Sequence, residues 1–474
     1  MAANVVHGNG NVHAIKTRIL RADMTNLGKF QDPESLDNWE VPQELQSKGP
    51  LHEAALHLRT TSIPVAFPTE TVYGLGADAT RSDAVKGIYK AKSRPSDNPL
   101  IMHFCDLSML RNFLLASTEP NGVSGKDDLI PEIYKSLIKK FWPGPLTILL
   151  KNPQPSKLAP EVTAGLQTFG ARMPSSPLAL SLIKLAGVPL AAPSANASTK
   201  PSPTTAEHVL HDLDGKIEII LDGGSCQVGV ESTVVDGLCD PPVVLRPGGV
   251  SIDKIRECPG WETAVKGYKD KSEVGSSAPR APGMKYKHYS PKAKVVLYEA
   301  PVGSVTPPIP LNMFDRGVNG EADNASSQNH DVPFIGIIRT KKWAKFAGLD
   351  NASHNREGKN FQTVIHVKIC TQTDDSFVIT EADLLAAPFL SNGALSSGDS
   401  DNATWGSSDT PIAHITEIYL GSETKDIARG LFFALRELDK RGVDVIYVEG
   451  IEDEGDIAAA VMNRLRKAAT DIKA

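Results

Sequence analysis

The chain has 474 residues, of which 41% are hydrophobic, so it is long and apolar enough for two or more domains with buried cores. Its formal net charge of −6 excludes a protein that binds nucleic acid through bulk positive charge. The five cysteines form no CxxC pair, which argues against a disulfide framework and a zinc site and favours a reducing compartment. The sequence has no apolar run of roughly 18 residues that would predict a membrane span.

The N-terminal extension, residues 1–47, contains one predicted strand after a tail over residues 1–11. Residues 13–20 alternate in the manner of a strand. Because the first 20 residues carry Lys16 and Arg18 and no acid, a weak mitochondrial presequence is the alternative interpretation. We therefore expect a cytoplasmic protein with, at most, a minor mitochondrial pool.

The segment 67–104 has a dense concentration of polar and charged side chains. It reads FPTETVYGLGADAT, then a short helix, then KAKSRPSDNPLIMHF. We predict a strand that ends at 68–71, a glycine turn at 74–76, a helix with Ser82 as its N-cap, and a strand over 100–104. Clustered hydroxyls, glycines and cations favour an anionic ligand, most simply a nucleotide.

Strands and helices alternate through the first domain, residues 48–260, and predict an α/β fold with a twisted open sheet. Ser176 is the predicted N-cap of a helix with Pro177 at its first position, and residues 204–207 have the capping-box pattern. The other predicted helices cover 51–59 and 133–141, and the predicted strands cover 65–68, 146–150, 189–193, 217–221, 233–236 and a strand that ends within 243–249.

A polar segment with glycine and proline, residues 261–291, is predicted as an interdomain linker. The second domain, residues 292–474, is predicted as a smaller, Rossmann-like α/β domain. Its two inserts, 319–332 and 391–409, are rich in Asn, Ser, Gly and Asp, a composition that predicts disorder. The predicted strands cover 294–298, 335–338, 363–368, 412–420 and 443–448, and the predicted helices cover 424–441 and 455–467.

Phosphate-binding motifs of the usual kinds are missing from the sequence. There is no Walker A pattern, and the glycines at 74–76 lack the third glycine of a dinucleotide fingerprint. The candidates for an anion site are therefore Lys92, Arg94, Arg172 and Arg246, which lie in loops or at element ends. One such arginine alone would indicate a surface salt bridge, but four cations after strands favour a site, because ligands of open α/β sheets bind there.

Other polar residues support two interpretations each. Hydroxyl and amide groups on the loop 194–202 could bind a ligand or serve as turn residues, and the two interpretations stay open. His103 in mid-strand is typical of a core histidine. Tyr286 and Tyr289 in the linker either face solvent or close over a site as a lid. We find no Ser-His-Asp, Cys-His or HExxH arrangement in the sequence, so covalent catalysis is not indicated.

These segments resemble the YrdC-like threonylcarbamoyl-AMP synthases, in the two-domain form of archaea, yeasts and many bacteria. Besides the two stretches quoted above, the matching stretches are FWPGPLTILL, ARMPSSP, PLAAPSANASTKPSPTTAEHV, ESTVVDG, VLRPGG and APGMKYKHYSP. They span most of residues 50–291 in the family's order. Residues 412–467 resemble the family's accessory domain, and the two inserts depart from the compact archaeal pattern.

The resemblance implies a nucleotidyltransferase that makes threonylcarbamoyl-AMP and pyrophosphate from L-threonine, bicarbonate and ATP. This is the first step in forming N6-threonylcarbamoyladenosine in tRNA, and a separate threonylcarbamoyl-transferase complex would use the product. Mg²⁺ would accompany ATP, with no tightly bound prosthetic group. Contact with tRNA or double-stranded RNA is left open, and no membrane partner is expected.

The resemblance also implies roles for individual residues. The implied threonine-binding residues are Thr71, His103, Arg172, Ala192 and Ser232. The implied ATP-binding residues are Arg94, Asn98, Thr168, Ser194, Ser202, Arg246 and Tyr289. The residues implied to carry catalysis are Lys92, Arg94, Ser194 and Asn196. Catalysis would consist of positioning and electrostatic stabilisation. Closure of 285–291 as a lid would keep water from a labile carbamate and adenylate.

Two other functions use some of the same features. An RNA-binding module could use the same cations, but the net charge is negative and no RRM, KH or OB signature is present. A carbamoyltransferase of hydrogenase maturation contains a similar domain, but also an acylphosphatase segment and CxxC zinc fingers, which this chain lacks.

Overall fold

The structure is a computed structural model that describes residues 15–115, 129–268, 288–299, 332–349, 353–356, 359–373, 377–388, 411–455 and 457–473. The predicted tail, almost all of the two predicted inserts and most of the predicted linker lie outside the described residues. Within them, two large sheets and their helices confirm the predicted α/β class.

The described residues up to 268 supply thirteen strands. In chain order they are β1 (Arg18–Arg21), β2 (Lys29–Asp32), β3 (Asp37–Glu40), β4 (Val65–Pro68), β5 (Tyr73–Asp78), β6 (Ile101–His103), β7 (Leu146–Lys151), β8 (Thr168–Arg172), β9 (Leu190–Ala191), β10 (Ile219–Asp222), β11 (Thr233–Asp236), β12 (Val243–Arg246) and β13 (Val265–Lys266). Strands β2 and β3 form a hairpin of their own. The other strands form one mixed sheet in the order β1-β10-β4-β5-β9-β6-β8-β7-β11-β12-β13.

In the same described part of the chain, eight α-helices accompany this sheet. They are α1 (Pro50–Thr60), α2 (Ser82–Lys92), α3 (Leu107–Leu115), α4 (Glu132–Phe141), α5 (Pro160–Thr163), α6 (Pro177–Ala186), α7 (Ala206–Leu213) and α8 (Ile252–Arg256). The predicted cap of α6 is confirmed, since Ser176 Oγ accepts the N–H of Ala179. Ser82 is not the cap of α2, because the helix begins at Ser82 itself and Arg81 occupies the N-cap position.

The glycines at 74–76 form part of a strand, not the predicted turn. Strand β5 pairs antiparallel with β4, and Gly74 and Leu75 face Phe67 and Ala66 in register. A Cβ on Gly76 would lie 2.6 Å from the ring of Phe67. Glycine is needed here for close packing against an aromatic ring, not for turn geometry.

Two predicted boundaries of the first domain are also wrong. Strand β1 of the predicted extension pairs in parallel with β10 at the edge of the sheet, so the extension belongs to the domain. At the other end, Trp261 is fully buried and its indole N–H donates to the Ile133 carbonyl at 2.8 Å. Strand β13 then pairs with β12. The segment that joins the domains therefore begins after Lys266.

Where the structure describes the second domain, eight strands form a smaller sheet. They are β14 (Lys294–Tyr298), β15 (Phe334–Arg339), β16 (Ser353–Arg356), β17 (Lys359–Gln372), β18 (Val378–Pro388), β19 (Ala413–Tyr419), β20 (Val445–Glu449) and β21 (Asp471–Lys473), in the order β16-β17-β18-β19-β15-β20-β14-β21. Helices α9 (Thr424–Lys440) and α10 (Ala458–Ala468) cover it. Strand β18 was not predicted.

Helices α9 and α10 of the second domain pack against the first domain. Two of their arginines are buried and each pairs with a carboxylate across the interface: Arg436 with Asp212 at 2.8 Å and Arg464 with Glu231 at 3.0 Å. Gly229 lies so close to α9 that a Cβ would come within 2.3 Å of the Cα of Arg429. The two domains therefore share a closely packed interface beside the loop before β11.

We expect Gly229→Ala to lower the stability of the protein far more than Gly224→Ala. Both glycines have positive φ, at 76° and 82°, so both substitutions carry a backbone cost of about 1–2 kcal/mol. Only position 229 also meets the backbone of α9, whereas a Cβ at 224 meets no atom within 4 Å, and such overpacking costs about 1–3 kcal/mol more. Thermal unfolding of both variants measures the difference, and equal unfolding midpoints would contradict this account of the interface.

Candidate active site

A cleft lies where the loops after β4 and β9 meet the carboxyl ends of β6, β8 and β12. It encloses about 560 Å³ of empty space, part of which is open to solvent. Nine of the predicted site residues line it, namely Thr71, Arg94, His103, Arg172, Ala192, Ser194, Ser232, Arg246 and Tyr289. The structure thus brings together residues that are spread over more than two hundred positions of the chain.

His103 and Arg172 are neighbours in the cleft because β6 and β8 are parallel and pair these two residues in register. Arg172 is held from two sides: its Nε donates to the Gly144 carbonyl at 3.2 Å, and its Nη2 donates to Glu70 Oε1 at 2.6 Å. The second oxygen of Glu70 accepts the N–H of Ser175 at 3.1 Å. Glu70 therefore fixes the guanidinium at the wall of the cleft.

Arg246 and Ser232 form a second group in the cleft. The guanidinium of Arg246 donates to the Ser232 carbonyl at 2.8 Å and to its hydroxyl at 3.1 Å. That hydroxyl also shares a hydrogen bond of 2.8 Å with Thr147 on β7. The bonds join the ends of β7, β11 and β12 and fix both Ser232 and Arg246.

Lys92 and Asn196 lie behind the cleft and do not line it. The Lys92 ammonium is buried and donates to the carbonyl oxygens of Ser194 and Asn196, the latter at 2.6 Å. The Asn196 side chain accepts from the Ser194 hydroxyl at 2.5 Å and donates to the Lys200 carbonyl at 2.9 Å. Both side chains therefore hold the loop 194–202 in shape, and only Ser194 of this group reaches the cleft.

Three further predicted residues lie outside the cleft lining. Asn98 is buried, and its carbonyl accepts from the Tyr89 hydroxyl at 3.0 Å, close to Arg94. Ser202 is buried and donates to Glu231 Oε1 at 2.6 Å. Thr168 begins β8, four residues from Arg172 and so about 13 Å away along the strand.

Tyr289 closes the cleft from the segment that joins the domains. It is only 1% exposed, adopts a positive φ of 69° and packs on Phe432 of α9 with 5.1 Å between ring centroids. Burial, and next the charge of Glu231, raises the pKa of this phenol. Tyr289 is thus a neutral side chain held against the second domain. Lys285 to Lys287 of the predicted lid lie outside the described residues.

Glu231 is a site residue that the sequence reasoning missed. It lines the cleft, where it accepts from Ser202 and Arg464. Burial by itself raises the pKa of this carboxyl, but the charges of Arg464 and Arg246 outweigh burial and bring the pKa to about 2. Glu70 and Thr147 were also missed. A signal for Glu231 exists in the sequence, since an acid directly before a buried strand must find a cation or a hydrogen-bond donor.

The electrostatics of the cleft suit anionic ligands. Arg94, Arg172 and Arg246 line it together with one acid, Glu231, which is already paired. Burial lowers the pKa of both Arg94 and Arg246 to about 10, so both remain charged at neutral pH. Burial, and next the charge of Arg172, lowers the pKa of His103 to about 3, which leaves it neutral. Among the described residues, no group of three His, Cys, Asp or Glu side chains could hold a metal ion, and no helix could span a membrane.

These features define a two-domain α/β protein with a cleft whose three arginines suit anionic small molecules. Comparisons with known proteins agree with this class. Residues 60–248 match the Sua5/YciO/YrdC family, whose description reads "Telomere recombination", and residues 250–470 match the C-terminal domain of threonylcarbamoyl-AMP synthase.

Relatives and a solved structure cover nearly the whole chain. The threonylcarbamoyl-AMP synthase of Schizosaccharomyces pombe is 42% identical over 96% of this chain and 98% of its own length. That of Bacillus subtilis is 38% identical over 91% of this chain and 96% of its own. The crystal structure of P. abyssi Sua5 complexed with L-threonine has a TM-score of 0.62 and 33% identity, over 96% of this chain and 99% of that chain.

The chain belongs to the two-domain threonylcarbamoyl-AMP synthase family, as the resemblance implied. Its activity is the nucleotidyl transfer that forms threonylcarbamoyl-AMP, the first step of threonylcarbamoyladenosine synthesis in tRNA.

The buried histidines make stability depend on pH. Burial lowers the pKa of His103, His208 and His288 from the ordinary value of 6.5 to about 3. As pH falls below 6.5 the unfolded chain binds protons that the folded protein does not, so stability decreases with decreasing pH. We expect His103→Gln to reduce the slope of the unfolding free energy against pH by about 1.4 kcal/mol per pH unit between pH 6 and 5. Urea unfolding at several pH values measures it.

His366→Gln is the matched control, since this side chain is exposed on β17. The control should keep the slope of the unsubstituted protein. An unchanged slope in His103→Gln would show that His103 takes up a proton in the folded protein and would overturn its assignment as a neutral group in the cleft.

Proposed function

We propose that the cleft is the place where threonine, bicarbonate and ATP react, with the residue roles given below. The observation that carries the proposal is the convergence of Arg94, Arg172 and Arg246 on one cleft from three distant segments. The reaction brings together a carboxylate, a carbonate and a triphosphate, all anionic. Fixed guanidinium groups reduce the repulsion between them at no cost in reorganisation.

Threonine occupies the half of the cleft around Arg172. The guanidinium, fixed by Glu70, pairs with the threonine carboxylate. Neutral His103 and the Thr71 hydroxyl can each donate or accept a hydrogen bond. Their partners would be the amine and the side-chain hydroxyl of the bound threonine. Ala192 and Ser232 border the same space and limit its size.

ATP occupies the half around Arg94, Arg246 and Ser194, all of which line the cleft. Tyr289 covers this half and excludes water. Lys92, Asn196, Asn98 and Ser202 act behind the lining, by shaping the loops that touch the phosphates. Thr168 and Arg172 lie on the same face of the sheet, because side chains alternate between the two faces along a strand. Thr168 can therefore contact the nucleotide only if the nucleotide extends along β8.

The chemistry needs positioning and charge, not a protein nucleophile. The threonine amine attacks the carbon of bicarbonate, and loss of water gives a carbamate. A carbamate oxygen then attacks the α-phosphorus of ATP, and the bond to the leaving pyrophosphate breaks. Arg94 and Arg246 stabilise the charge that develops on the phosphates.

Mg²⁺ enters this site with ATP. Magnesium ions usually bind proteins through one or two carboxylates together with substrate phosphates. The only carboxylate that lines the described cleft, Glu231, already accepts from Ser202 and Arg464. The donor set therefore fits an ion carried by the phosphates of ATP, where it would neutralise charge, better than an ion held by the protein.

The product, threonylcarbamoyl-AMP, is a labile mixed anhydride, so a separate threonylcarbamoyl-transferase complex must take it up soon after release. We assign the protein to the cytoplasm, where tRNA is modified. A direct contact with tRNA or double-stranded RNA, and a mitochondrial pool, are not needed for this chemistry.

Pyrophosphate release distinguishes the synthase reaction from simple RNA binding. We expect ATP to yield pyrophosphate only when both L-threonine and bicarbonate are present, because the carbamate is the group that attacks the α-phosphorus. A coupled phosphate assay with each substrate omitted in turn measures this. Release without threonine, or no release with all three substrates, would contradict the proposed reaction in this cleft.

Arg94→Ala should lower kcat/KM for ATP at least about 100-fold, which corresponds to roughly 2.7 kcal/mol of transition-state stabilisation. Arg81 directly precedes α2, the helix after which Arg94 lies. Its guanidinium donates to the Arg59 carbonyl, and it does not line the cleft. Arg81→Ala is therefore the matched control and should keep its activity. Loss of the folded state in Arg94→Ala, or full activity, would count against the assignment.

A further inference from the structure

The two halves of the cleft are anchored in different ways. On the threonine half, Arg172 is fixed by Glu70 and by the Gly144 carbonyl, both from the first domain. On the ATP half, Glu231 is fixed by Arg464, which lies on α10 of the second domain. Among the described residues, the ion pair of the ATP half therefore crosses to the second domain, whereas the ion pair of the threonine half stays within the first.

Arg464 is built into this position by several contacts. It is 0% exposed, its Nε donates to Glu231 Oε2 at 3.0 Å and its Nη1 donates to the Pro247 carbonyl at 2.5 Å. Its guanidinium carbon lies 5.8 Å from the centroid of the Tyr289 ring. A buried guanidinium with a carboxylate and a carbonyl as acceptors is held in one orientation.

Glu231 passes this constraint on to the loop behind the ATP half of the cleft. Its other oxygen, Oε1, accepts from the Ser202 hydroxyl at 2.6 Å, while the ring of Tyr289 lies beside Arg464 itself. Pro247 directly follows Arg246 in the chain, so the carbonyl bond to Arg464 also holds the end of β12. Ser202, Tyr289 and Arg246 are thus all connected to one side chain of the second domain.

We propose that Arg464 is a positioning residue for ATP, through which the second domain completes the nucleotide half of the active site. Without Arg464, Glu231 would lose this ion pair and would face the phosphates with less compensating charge. The threonine half would keep its own anchors. The inference rests on the proposed placement of ATP in this cleft.

Arg464→Met tests the proposal in the full-length protein, with Arg466→Met as the matched control. Arg466 lies on the same helix and also forms two ion pairs, but with Glu299 and Asp453 of its own domain. We expect Arg464→Met to raise the KM for ATP at least tenfold and to leave the KM for threonine within twofold. The control should change neither constant by more than twofold.

Glu231→Gln in the Arg464→Met background separates positioning from general stability. Removing the unpaired carboxylate should bring the KM for ATP back to within threefold of the unsubstituted value. If Glu231 is instead a ligand of Mg²⁺, the double variant will not recover and the requirement for Mg²⁺ will rise, which overturns the proposal. Equal effects on both KM values, or an Arg464→Met variant that behaves like the control, also overturn it.

Phe432→Leu provides a second route if Arg464→Met does not fold. Phe432 packs on Tyr289 from α9, and the substitution removes this ring contact while keeping an apolar side chain. We expect the same selective rise in the KM for ATP, and an unchanged KM contradicts the proposal.

Calorimetric titration with ATP alone distinguishes the proposed placement of ATP from the proposed role of Arg464. If the unsubstituted protein binds no ATP, the placement of ATP fails. If it binds ATP as tightly as Arg464→Met, only the role of Arg464 fails.

Discussion

Burial of positive charge around one cleft is the constraint on which this structure depends. A guanidinium removed from water must find acceptors, or the folded state loses several kcal/mol. The loops that lead into strands supply these acceptors, because their carbonyl groups have no partner in the sheet. Arg172 uses the Gly144 carbonyl and Arg246 uses the Ser232 carbonyl in this way. The sheet therefore also holds the cations in place and keeps them charged.

The same principle explains why some of the polar residues do not touch the cleft. Lys92 satisfies two loop carbonyls and Asn196 closes the loop 194–202 on itself. Burial holds the pKa of Lys92 well below its usual range. Its hydrogen bonds to carbonyl oxygens offset the free-energy cost of burying this side chain. A rigid loop then presents Ser194 to the ligand. Positioning of this kind is how an enzyme without a nucleophile can still accelerate a reaction.

Local patterns in the sequence were sufficient for most of the elements and for much of the site. Helix α6 could be predicted because its cap and its apolar spacing both lie within twelve residues. Arg172 and Arg246 could be selected because both end strands. The failures involve contacts distant in sequence. The glycines of β5 were mistaken for a turn, since the ring of Phe67, which leaves no room for a Cβ at Gly76, lies outside their local pattern. Glu231 could not be paired with Arg464, because nothing local marks a partner 233 positions away.

That separation has a consequence for how the protein is made. Domains fold in order from the N-terminus during synthesis. The first sheet, which ends with β13, can form long before the ribosome reaches residue 464 of 474. Before α9 and α10 have been made, Tyr289 lacks the ring of Phe432 and the Glu231 carboxylate lacks the counter-charge of Arg464. The ion pair between Arg172 and Glu70 can form earlier, because both residues lie in the first domain. The side of the cleft around Glu231 and Tyr289 is completed only after α10 has been translated.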